Sequence, residues 1–157
     1  MDRKERTVII LKPDAVQRGI MSEVLHRFER RGLKIIGMKF ANLPKGKLEE
    51  HYAHHKDKPF FPKFIAFMTS SPALVVALEG KNVVKIVRDM CGTTHGGEAA
   101  PGTIRGDFSL TMQNIIHASE DVAQAEAEIS RFFDPDEIFA QYERVDLPMI
   151  YPEEDRN

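Results

Sequence analysis

Two apolar runs constrain this chain most: Thr7-Val8-Ile9-Ile10-Leu11 and Ala73-Leu74-Val75-Val76-Ala77-Leu78. A strand with one wet face alternates apolar and polar residues, whereas an unbroken run belongs to a strand buried on both faces. Both segments therefore read as buried strands. Lys12-Pro13-Asp14 ends the first and Pro72 opens the second.

Between them, Met21, Val24, Leu25 and Phe28 recur at helical spacing. Arg27, Arg30 and Arg31 load the last turn and Gly32 stops it. Leu33 to Phe40 reads as a strand, Lys47 to His55 as a polar helix, and Phe60 to Met68 as a more apolar one. Val83, Val84, Val87 and Met90 form a further helical stripe that ends near Gly92. Residues Gly92 to Gly106 hold five of the ten glycines and predict a long loop, a common place for function. A short strand, Ile115-Ile116-His117, follows it. Ser119, Glu120 and Asp121 supply caps and negative charge to a last helix, whose buried face is Val122, Ala125, Ile129, Phe132 and Phe133. The order predicts an α+β fold of ferredoxin-like βαββαβ plan, a four-stranded antiparallel sheet with helices packed on one face.

The 157 residues are 42% hydrophobic and 29% charged, enough for one core. With no repeat, linker or low-complexity stretch, a single domain over 1–157 is expected. No apolar run approaches the ~20 residues that cross a bilayer. The charged start, Met1 to Arg6, has no signal-peptide character. The lone Cys91 fits a reducing, cytoplasmic setting. A net charge of −2 argues against a general nucleic-acid binder.

P-loop, dinucleotide-fingerprint, paired-cysteine and zinc-protease motifs are all absent. His51, His54 and His55 are spaced to share a helix face, either as metal ligands or, more commonly, as a solvated surface. His117 sits where a strand gives way to a helix. A lone histidine there is more often structural, but Asn114 precedes it and Ser119 follows. Glu128, at the margin of the last helix's buried stripe, is either a surface residue or a carboxylate orienting the imidazole. Lys12, Arg88 and Arg105 each read singly as surface charges. Together with His117 they suit an anionic substrate, since arginine forks match phosphate oxygens.

The stretch Asn114-Ile115-Ile116-His117-Ala118-Ser119 resembles the active-site signature of nucleoside diphosphate kinases. The resemblance runs from about Glu5 to Tyr151. It takes in Lys12-Pro13-Asp14, His51-Tyr52, Lys58-Pro59-Phe60-Phe61, Glu79-Gly80-Lys81-Asn82 and Pro101-Gly102-Thr103-Ile104-Arg105-Gly106-Asp107. It implies ping-pong transfer of a γ-phosphate from a nucleoside triphosphate, typically ATP, to a diphosphate. His117 would carry the phosphoryl group, with Glu128 and Ser119 holding it. Lys12, Arg88, Thr94 and Arg105 would bind phosphates, with Tyr52 and His55 nearby. Lys12 and Asn114 would contact the ribose, Phe60 would stack on the base, and Mg²⁺ would arrive on the nucleotide. The resemblance also implies a homo-oligomer, usually a hexamer and sometimes a tetramer, and a hexamer is expected because the chain keeps a C-terminal segment able to cross to a neighbour.

Three departures stand out. Ala118 replaces a common glycine, which matters only if that position needs φ > 0. The segment between Gly106 and Asn114 is one residue short, so either Met112 or Thr111 faces the base opposite Phe60. Met149 stands where a tryptophan is usual. Two rival readings are a nucleic-acid-binding module and a non-catalytic interaction protein on the same fold.

Overall fold

Four strands form one antiparallel sheet in the order β2-β3-β1-β4. They are β1 (Lys4–Leu11), β2 (Lys34–Ala41), β3 (Ala73–Lys81) and β4 (Ile116–Ala118). The structure, a computed structural model, describes residues 4–156. The helices are α1 (Pro13–Gln17), α2 (Met21–Arg30), α3 (Lys45–His51), α4 (Phe61–Met68), α5 (Val83–Cys91), α6 (Ile104–Phe108), α7 (Val122–Phe132) and α8 (Leu147–Ile150).

The two apolar runs lie side by side at the centre, with Thr7 opposite Leu78 and Leu11 opposite Leu74. Their side chains alternate between faces, so each face carries its own core. On one, Ile9, Leu11, Val76 and Leu78 pack against Val24 and Phe28 of α2 and Val83 and Val87 of α5. On the other, Val8, Ile10, Val75 and Ala77 meet Leu48 of α3, Ile65 and Met68 of α4, and Phe132 of α7. Helices thus cover both faces, not the one face expected. Strands apolar on both sides require this, because either face left wet would forgo ~25 cal/mol per Å² of burial.

Other boundaries also shift. The helix expected through His55 ends at His51, and Ala53–His55 forms a separate 3₁₀ turn. The glycine-rich stretch is ordered in part, with a 3₁₀ turn at Gly96–Glu98 and the start of α6 within it. Thr103 caps α6 by accepting from the Gly106 N–H at 3.0 Å. A Cβ at Gly106 would lie 2.0 Å from the Ala100 carbonyl oxygen, so that turn needs glycine. Asp121 rather than Ser119 caps α7, accepting from the Gln124 N–H at 2.8 Å. Val122, the first residue of α7, is 40% exposed instead of buried. The C-terminal segment lies on its own chain, where Lys81 pairs with Asp155 at 2.7 Å. No helix among the described residues is long and apolar enough to cross a membrane.

Candidate active site

Among the described residues β4 pairs only with the end of β1, which sets His117 opposite Ile10. Lys12 leaves β1 at that same end, and its N–H donates to the Ile115 carbonyl at 2.8 Å. Ile115 is fully buried with φ 73°, a left-handed conformation rare for a β-branched residue. Asp14 holds it there by accepting the Ile115 N–H at 3.0 Å. The Ile116 N–H closes the turn on the Asn114 carbonyl at 2.7 Å. Such a conformation costs ~1–3 kcal/mol and persists only where its surroundings enforce it.

Nε2 of His117 lies 3.1 Å from Oε2 of Glu128, which is only 3% exposed. That oxygen also accepts the Ser119 hydroxyl at 2.5 Å, and Ser119 in turn accepts the Val8 N–H at 3.0 Å. A carboxylate only accepts, so the imidazole proton sits on Nε2 and Nδ1 keeps its lone pair. Burial lowers the His117 pKa below its ordinary value, against the raising effect of Glu128, and Lys12 and Arg105 add to the lowering. The ring is therefore predominantly neutral at pH 7.

His117 lines a cleft of about 1240 Å³. Lys12, 7% exposed, donates to Asn114 Oδ1 at 2.7 Å, and Asn114 donates to the Thr94 carbonyl at 2.7 Å. Burial, then the Arg105 charge, brings the Lys12 pKa down to about 8. Arg105 donates to the Gly92 and Ile116 carbonyls at 2.9 and 2.6 Å, so two of its N–H donors are spent on orientation. Nε of Arg105, Oη of Tyr52 and Nε2 of His51 are buried without partners among the described residues, and all three residues line the cleft. Burial pushes the Tyr52 hydroxyl up, so it stays protonated and can donate. Unmet donors and cations around one space suit an anion rich in acceptor oxygens. Arg88 and Thr94 are exposed on the cleft wall. At the mouth, Phe60 and Met112 are 50% and 62% exposed, and the His55 ring sits 5.4 Å from Phe60. Thr111 also lines the cleft.

A family model, nucleoside diphosphate kinase, matches residues 5–138. The chain belongs to the nucleoside diphosphate kinase family. A nucleoside diphosphate kinase from Archaeoglobus fulgidus is 49% identical over 150 residues, covering 95% of this chain and 99% of that one. A halophilic nucleoside diphosphate kinase from Halobacterium salinarum, solved in complex with CDP, superposes with a TM-score of 0.91. It is 41% identical and covers 95% of this chain and 99% of its own. One from Borrelia burgdorferi, a transition-state mimic with bound vanadate and ADP, has a TM-score of 0.86 at 34% identity, covering 93% and 96%. As a family member the chain is a phosphotransferase, and the kinases of this family use a divalent metal in general.

The kinase signature residues converge. Lys12, Tyr52, His55, Phe60, Arg88 and Thr94 line the cleft, as do Arg105, Met112, Asn114, His117 and Glu128. Ser119 sits behind Glu128, fully buried. Ala118 is not among the positive-φ residues, so its Cβ meets no backbone strain. Of the histidine trio only His51 turns inward, while His54 stays exposed. Sequence reasoning missed His51 as part of the site, and missed Asp14 as the clamp on Ile115. Their signal was position: His51 precedes Tyr52, and Asp14 follows Lys12-Pro13.

Donor atoms of His51, His117 and Glu128 lie within 4.8 Å of one another. Arg131 donates to Nδ1 of His51, which takes up that ring's one lone pair and leaves its Nε2 protonated, and Glu128 engages Nε2 of His117, so His51 offers a metal no lone pair. Around the cleft, Lys12, Lys63, Arg88 and Arg105 outnumber Glu120 and Glu128. A hard divalent cation finds no oxygen cage there, but it fits on a polyphosphate that the cations hold.

Proposed function

We propose that the chain moves the γ-phosphoryl group of a nucleoside triphosphate to a nucleoside diphosphate through a phosphohistidine on Nδ1 of His117. One observation carries the reading: Nε2 of His117 is engaged by Glu128, while the free nitrogen belongs to a ring facing a cation-lined cleft. The lone pair on Nδ1 attacks the γ-phosphorus, the bond to the bridging oxygen breaks, and its electron pair leaves with the diphosphate. A second diphosphate reverses these events with its own terminal oxygen, so one site serves both half-reactions. Glu128, braced by Ser119, stabilises the positive charge that develops on the ring. Lys12, Arg88 and Arg105 stabilise charge on the moving group, with Thr94, Tyr52 and His55 adding donors. Mg²⁺ on the phosphates supplies further charge neutralisation.

Phe60 on one side and Met112 on the other hold the base, with Lys12 and Asn114 on the ribose. Stacking needs only a π-face, which every base offers, so acceptance is broad. We further read residues 1–157 as one domain, cytoplasmic, and assembled as a hexamer. Exposed Met38 and Phe40 on the edge strand β2, with Phe139 nearby in exposure, support assembly. Light scattering behind size exclusion gives the subunit count, and any count other than six defeats that part.

Labelled ATP should leave an acid-labile, alkali-stable phosphate on the chain. His117→Ala should abolish both that label and nucleotide exchange. A folded His117→Ala variant that still exchanges phosphate overturns the reading.

A further inference from the structure

Arg131 lies on α7 and does not line the cleft, and no step of the proposed relay uses it. Its guanidinium joins two residues of α3, donating to Oε1 of Glu50 at 3.2 Å and to Nδ1 of His51 at 3.1 Å. A guanidinium has donors only, so Nδ1 of His51 must accept and the His51 proton sits on Nε2. We propose that Arg131 is a positioning residue for phosphoryl transfer, acting through His51: it locks the Nε2–H tautomer and so leaves Glu128 to His117. This inference rests on the phosphohistidine reading above.

The packing shows why the tautomer matters. The His51 side chain is 1% exposed and is boxed edge-on by three rings, Tyr52 at 4.4 Å, His117 at 4.5 Å and Phe132 at 5.1 Å. It has little freedom to turn away. Its Nδ1 lies 3.9 Å from Oε1 of Glu128, just beyond hydrogen-bond reach. In the Nδ1–H tautomer that nitrogen becomes a donor aimed at a buried carboxylate. Glu128 swinging to meet it would pull Oε2 away from His117, now at 3.1 Å, and from Ser119 at 2.5 Å. Arg131 removes the competitor by occupying Nδ1. The same contact sets a positive charge where a bound metal would need the His51 lone pair. Burial, then the charges of His117, Arg131, His54 and Lys12, holds His51 far below its ordinary pKa, so the ring stays neutral while it accepts.

Nitrogen-15 NMR of the imidazoles reads the tautomer directly on the wild-type chain, with no variant needed. Nδ1 of His51 should be unprotonated and Nε2 protonated. In Arg131→Met the His51 signals should move toward a tautomer mixture. Rapid-quench measurement of the first half-reaction with ATP should show phosphohistidine forming about tenfold more slowly in Arg131→Met. ATP affinity should be unchanged, and Arg131→Lys, which keeps a donor, should recover most of the rate. A wild-type His51 protonated on Nδ1 overturns the proposal, as does a folded Arg131→Met with wild-type phosphorylation rate. A wild-type chain that never labels His117 overturns the phosphohistidine reading as well. Labelling that is indifferent to Arg131 sinks this inference alone.

Discussion

At the scale of single residues, the candidate nucleophile depends on groups that never meet the substrate. Ser119 is one: its hydroxyl donates a hydrogen bond to Glu128 and accepts one from the Val8 N–H, at 2.5 and 3.0 Å. Ser119→Ala strands that buried N–H, so unfolding in urea should show a loss of ~1–3 kcal/mol. Its His117 should still label, but more slowly. Two titrating groups of the cleft should bracket activity in the proposed relay. His117 must be neutral, and its pKa is depressed chiefly by burial, so kcat/KM should fall only below the ordinary imidazole range. Lys12 must be charged, and its pKa is about 8, so kcat/KM should fall again as pH rises through that value. A profile still climbing well above pH 8 would contradict the role given to Lys12.

At the scale of elements, part of the order in the glycine-rich stretch comes from outside it. Arg27 on α2 pairs with Asp107 at 2.6 Å, reaches the Gly102 carbonyl at 3.3 Å and lies 4.7 Å from the Phe108 ring. The Asp107 carboxylate also accepts the Gly102 N–H at 2.8 Å. These contacts seat α6, and α6 carries Arg105. Asp107→Asn should therefore raise KM for nucleotides several-fold, with a smaller change in kcat. Hydrogen exchange should quicken across residues 96–108 and nowhere else. Exchange unchanged there would mean that the loop holds its shape without the ion pair.

For the whole molecule, acid is the natural threat. His51 has its pKa pushed down to about 2 in the folded state, against about 6.5 for a free imidazole. Below that unfolded value the unfolded chain binds a proton that the folded chain refuses. Stability should therefore fall as pH drops from ~6.5, by up to ~1.4 kcal/mol per pH unit for this one group. His117 contributes in the same direction. Urea midpoints from pH 7 to 5 test this, and His51→Phe should flatten the slope.

The parts legible in the sequence are those with local causes. Unbroken apolar runs marked β1 and β3, Arg and Gly punctuation ended α2, and the residues around His117 carried a recognisable chemical pattern. These depend on side-chain periodicity and backbone preference over a few neighbours. What only the tertiary structure decided are contacts between distant positions. Lys12 meets Asn114 across 102 positions and Val8 meets Ser119 across 111. Such pairs follow from strand register and from which helix crosses which face, and no local window holds that information. The same reason hid the second helical layer, the partial spending of Arg105 on backbone carbonyls, and the turn of His51 from the helix surface to the edge of the His117 ring.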